Sequence, residues 1–130
     1  MLFLGLLIGC QSDKIIEETE YGFSSEYGGY YVKYESSPAT IPLNEEFSIE
    51  IKVYSAETPT TQLTDITIEV DAEMPEHNHG MNQLPIVTIE EGTATAAGML
   101  FHMTGYWEIL VLINEANKRE TAYIPVECCE

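Results

Sequence analysis

Three histidines and four methionines crowd into one stretch of the chain: Met74, His77, His79, Met81, Met99, His102 and Met103. Apart from Met1, the rest of the sequence has neither residue type. Neutral imidazole binds copper, zinc, nickel and iron, whereas thioether sulfur is soft and selects Cu(I). A mixed His/Met set with no cysteine nearby therefore favours copper over zinc. Structural zinc wants four Cys and His ligands, which this window cannot supply. Calcium and magnesium want oxygen ligands, and Asp71, Glu73 and Glu76 lack the spacing of an EF-hand loop.

The densest part is DAEMPEHNHGMNQLP, residues 71–85. If 77–81 is extended, His77, His79 and Met81 project to one side, because alternate side chains share a face. Glu76 and Asn78 then project to the other side. Gly80 can break that alternation and also lets backbone approach closely. In Phe101-His102-Met103 the last two side chains face opposite ways within a strand. One of them joins the site unless the strand ends there, which Thr104-Gly105 permits. The primary ligands expected are His77, His79 and Met81, with His102 or Met103 completing the set. Each residue also has a plainer role. Met99 fills core space, Met74 packs at the loop base before Pro75, His102 is a buried histidine on a backbone carbonyl, and His77 and His79 are exposed. His-x-His alone is a weak signal; the joint set is stronger than any member.

These residues need a scaffold, and the pattern around them is β. FSIEIKVY (47–54) alternates with Phe47, Ile49, Ile51 and Val53 on one face, the period of a half-buried strand. DITIEVDA (65–72) repeats the pattern, and YWEILVLI (106–113) does so with Trp107, Ile109, Val111 and Ile113. YGGYYVKY (27–34), PIVTIEE (85–91), TATAAGMLF (93–101) and RETAYIPVE (119–127) are the remaining candidates. Pro125 lacks an N–H and marks the last as an edge strand or a strand end. Turn residues fill the gaps, and no window carries a 3.6-residue apolar period. The expectation is an all-β domain, an immunoglobulin-like antiparallel β-sandwich of about seven strands, with Trp107 in its core. No cysteine pair brackets Trp107, so an antibody-type inter-sheet disulfide is excluded.

The chain has 130 residues, room for one domain with a real core. Its 22 acidic and 5 basic residues give a net charge of −17. Phosphate backbones repel such a surface, so no nucleic acid is expected as partner. The acidity serves solubility first, and it also gathers cations. Cys128 and Cys129 are adjacent near the end. They read as an unimportant tail, ahead of a vicinal disulfide or a thiol pair for a soft metal.

MLFLGLLIGC opens the chain. Its apolar run is too short to span a bilayer, which takes about 20 helical residues. The segment resembles a bacterial lipoprotein signal, with LIGC as its lipobox and residues 1–9 as signal peptide. That resemblance implies lipidation of Cys10, a membrane partner reached through acyl chains, and a place in the cell envelope on the extracytoplasmic side. The basic region expected ahead of the apolar run is missing. Either the true start lies upstream or the Met1 amino group serves alone. Residues 10–26 are polar and acidic and read as the lipidated cysteine and a tether. Residues 27–130 form the folded domain.

The run DAEMPEHNHGM, followed by a strand and GMLFHMTGYWEILVLI, resembles the YtkA-like domain, related to FixH-type proteins. The resemblance covers roughly residues 28–126. It implies a small extracytoplasmic β-sandwich, often lipid-anchored. FixH-type relatives are associated with the assembly of copper-containing oxidases, which implies a copper-dependent membrane protein or an oxidase assembly factor as partner. Periplasmic copper chaperones, a looser similarity, combine His and Met from two segments. Carried over, the candidates are His77, His79, Met81, His102 and Met103; here His102 and Met103 are adjacent rather than one residue apart. The expected function is a copper carrier or buffer. The alternative is a non-catalytic interaction module in which Pro75 and Gly80 shape a turn and the imidazoles do not matter. An enzyme is the weakest reading, since G-x-S-x-G, P-loop, H-E-x-x-H and G-x-G-x-x-G motifs are all missing.

Overall fold

The computed structural model describes residue 14 and residues 16–129. The expected signal peptide and lipobox, with Cys10, lie outside the described residues. Among those described there is no helix, and none long and apolar enough to cross a membrane.

Two antiparallel sheets pack face to face as a β-sandwich. The larger holds β1 (Glu18–Thr19), β2 (Gly22–Ser24), β3 (Tyr30–Ser37), β4 (Phe47–Ser55), β5 (Thr58–Gln62), β8 (Ile86–Glu90) and β9 (Thr93–Met99). Its order is β1-β2-β3-β4-β9-β8, with β5 paired to β4. The smaller sheet holds β6 (Thr67–Met74), β7 (His79–Gly80), β10 (Gly105–Glu115) and β11 (Lys118–Cys128), in the order β11-β10-β6-β7. The alternating residues named from the sequence supply the core. Phe47, Ile49, Ile51 and Val53 are buried from one sheet, and Ile68, Val70, Trp107, Ile109, Val111 and Ile113 from the other. Trp107 lies on β10, which is flanked by β11 and β6. Pro125 lies on β11, an edge strand, as a residue without an N–H requires.

Three expectations are corrected. The seven strands read from the sequence all form, but four short ones, β1, β2, β5 and β7, join them. The segment read as a tether is part of the domain over much of its length. Phe23 is buried, Ile16 packs on the core, and Ser25 bridges to Ala122 across the two sheets. Cys128 and Cys129 are not a loose tail. Cys128 pairs with Gly105 at the end of β11 and is buried, and the two cysteines are joined in a vicinal disulfide.

Candidate metal centre

The β6–β7 hairpin carries the first half of the His/Met cluster. Pro75 opens the turn, its fixed φ suiting the second position, and His77 N donates to Met74 O at 3.1 Å. Asn78 takes the left-handed conformation, φ 53°, which asparagine tolerates better than most residues. The chain then re-enters the ladder, with His79 opposite Met74 and Gly80 opposite Glu73. A Cβ on Gly80 would stand 3.1 Å from Ala72 O, so glycine allows this close return. The condition of an extended 77–81 is therefore not met. His77 lies in a turn, and Asn78 breaks the alternation.

The rings still converge. His77 and His79 stack with centroids 6.0 Å apart and planes 23° apart. His102 arrives from the β9–β10 connection, its centroid 5.2 Å from that of His79. The connection leaves the strand after Met99, so His102 is freed from strict alternation. Asn44 N donates to Phe101 O at 2.9 Å and ties it down. Trp107 is the common floor. Its ring meets His79 and His102 edge-on at 6.0 and 5.7 Å, and Phe101 stacks on it at 4.3 Å. Sequence reasoning assigned Trp107 to the core and missed its contact with both imidazoles; its place beyond Gly105 was the available signal.

Met81 packs against the core beside the β9–β10 connection. Leu100 N donates to Met81 Sδ at 3.4 Å, which pins the thioether next to the segment carrying His102. Gln83 anchors the same loop, donating from Nε2 to Gly98 O at 2.8 Å and to Glu46 Oε1 at 3.0 Å. Met103 follows His102 with its side chain 39% exposed, and its carbonyl accepts the Trp107 indole N–H at 2.9 Å. Met74 and Met99 are fully buried packing residues. Gly105, at φ 129°, makes room for Met74, whose Cε would lie 3.0 Å from an added Cβ.

Two ring nitrogens are informative. His79 Nδ1 lies 3.1 Å from Gly80 O. A carbonyl only accepts, so Nδ1 is the donor in this contact, and a bond of this kind is what orients a ligating histidine. His102 Nδ1 is buried without any hydrogen-bond partner. That corrects the plainer reading of His102 as a histidine satisfied by a carbonyl. No three His, Cys, Asp or Glu side chains among the described residues stand where they would hold one ion. A centre here therefore needs the Met81 thioether or a rotation of the imidazoles.

A second network lies on the face of β10 opposite Trp107. Glu108, next to Trp107, has a side chain only 6% exposed, and it accepts from Lys14 Nζ at 2.6 Å and from Tyr106 Oη at 2.9 Å. Lys14 also pairs with Glu73 at 3.4 Å and lies 4.8 Å over the Tyr123 ring. Burial works to lower the Lys14 pKa, but the hydrogen bonds and charges of Glu108 and Glu73 outweigh it and hold it above the ordinary value. Burial and the Glu108 hydrogen bond push the Tyr106 phenol up to about 12. This network was not legible along the chain, because Lys14 sat in the expected tether.

Compared with family models, with curated proteins and with solved structures, the chain matches none.

Proposed function

We propose that this chain is a lipid-anchored, extracytoplasmic protein that carries or buffers copper without catalysing a reaction. His79, His102 and Met81 would be the inner ligands, with His77 beside them and Met103 as the exposed alternate donor. The observation that carries the proposal is the proximity of His79 to both His77 and His102, imidazoles drawn from two separate segments, with Met81 Sδ bonded to Leu100 N two residues before His102. The buried, unpartnered Nδ1 of His102 supports it, because coordination would relieve an unsatisfied polar atom. Soft sulfur with imidazole selects copper among the divalent and monovalent first-row ions. The anchor at Cys10, the YtkA-like and FixH-like kinship and the immunoglobulin-like strand pattern belong to the same proposal. They point to a copper-dependent membrane protein or an oxidase assembly factor as partner.

Anaerobic titration of the full chain with Cu(I) against a chromophoric competitor tests it. One copper should bind tightly, and a His77→Ala/His79→Ala variant with unchanged fold should lose it. Equal competition by the variant would remove the hairpin as a copper site.

A second reading, a non-catalytic interaction module, is favoured by the exposed isoleucines of β8. Under that reading His77→Asn/His79→Asn leaves activity in the cell unchanged.

A further inference from the structure

Edge strands invite pairing with another chain unless something blocks them. Among the described residues, several edges of this sandwich are guarded, whereas β8 and the stretches of β3 and β6 beyond their short partners β2 and β7 are not. β1 and β7 are two residues long, and β5 carries Pro59. β11 carries Pro125 and is covered at its middle, where Glu26 N donates to Thr121 O and Thr121 N donates to Glu26 Oε1. β8, the outermost strand of the larger sheet, has five residues with neither proline nor lysine among them, and it lies beside β6. Its apolar side chains face water instead, with Ile86 72% and Ile89 39% exposed, and Leu84 just ahead is 76% exposed. Beside β8 runs an open groove of about 500 Å³ with an apolar floor of Ile68, Val70 and Val87. Glu69 and Asp71 line the same groove, and Arg119 in its wall already lies 3.7 Å from Glu69. Glu90 and Glu91 close the far end of the strand.

We propose that β8 and its groove dock an extended segment of another protein in which apolar residues alternate with Lys or Arg. The strand edge supplies backbone pairing, and the groove, with Leu84 and Val87 in its lining and Ile89 on the same face of β8 as Val87, takes alternate apolar side chains. The carboxylates choose the partner. A second copy of this chain would bring another −17 of charge to an acidic edge, whereas a basic strand is drawn to it. The inference stands on β8 alone and is independent of any metal at the histidines.

The test uses the purified protein and two labelled synthetic peptides, one alternating Val and Lys, the other alternating Ser and Lys. Fluorescence anisotropy should show the Val-Lys peptide binding and the Ser-Lys peptide much weaker. A Leu84→Ser/Ile89→Ser variant alters two exposed side chains, so its melting temperature should hold while affinity falls about tenfold with two apolar anchors gone. Amide shifts in an NMR titration should gather on residues 84–90. Equal binding of both peptides, or equal binding by the variant, would reduce the effect to charge attraction and overturn the proposal. A dimer of the protein alone, dissolved by the same variant, would overturn it in favour of self-pairing.

Discussion

Replacing His102 by leucine should stabilise the metal-free protein while weakening its hold on copper. Nδ1 of His102 is buried and has no hydrogen-bond partner. A polar atom in that state costs about 1–3 kcal/mol. Leucine is close in volume and carries no polar atom, so that cost disappears. The ring contacts to His79 at 5.2 Å and Trp107 at 5.7 Å are lost, and leucine's own packing offsets most of their worth. The net gain should be about 1–2 kcal/mol. Unfolding entropy of about 2.1 cal/mol/K per residue gives about 0.27 kcal/mol/K for a chain of this length, so Tm should rise by about 4–7 °C. Thermal and urea melts in the presence of a chelator measure this directly. Repeating them with Cu(I) adds the second half: wild type should gain stability as its site fills, and the variant should gain much less. A Tm unchanged or lowered in chelator would refute the reasoning, because it would mean that Nδ1 is satisfied in the folded protein.

Other outcomes follow from neighbouring contacts. Glu120 Oε1 accepts from Ser25 Oγ at 2.7 Å and from the N–H groups of Tyr27 and Gly29 at 3.1 Å each. Glu120→Ala should cost about 2–4 kcal/mol and Glu120→Gln distinctly less, read from urea midpoints at constant slope. Lys14→Gln leaves the nearly buried Glu108 without its cation and should cost about 1–2 kcal/mol, since Lys14 is itself part exposed. Hydrogen exchange should then quicken in residues 16–19 before anywhere else. Tyr30, through burial and its hydrogen bond to Glu115, and Tyr106, through burial and Glu108, are both pushed up to about 12. The unfolded chain releases these phenolic protons near pH 10, earlier than the folded one. Their stabilisation is therefore complete below pH 10 and lost as pH rises from about 10 to about 12, which an alkaline series of melts will show.

The sandwich was legible wherever one face of a strand is buried. Phe47 to Val53 and Trp107 to Ile113 alternate without interruption, and every apolar member of those sets is buried. β5 was not legible: Thr-Pro-Thr-Thr-Gln buries nothing fully and looks like a turn. β1 and β2 hid in an acidic segment in which Phe23 is the buried anchor. The cluster was legible as a set of residue types but not as geometry. A period-2 rule put His77 and His79 on one face of a strand, whereas a turn at Pro75 and a left-handed Asn78 bring the rings together instead. Chemistry along the chain could not show that Trp107 would lie under both imidazoles, or that Leu100 N would hold Met81. Those contacts depend on the two connections meeting at one end of the sandwich.

The most direct measurement of the central claim is X-ray absorption at the copper edge of the loaded protein, beside a Met81→Leu variant. A first shell of imidazole nitrogens plus one sulfur, with the sulfur lost in the variant, is the result expected of a His79, His102 and Met81 centre. A shell without sulfur, or one whose sulfur persists after Met81→Leu, would contradict it.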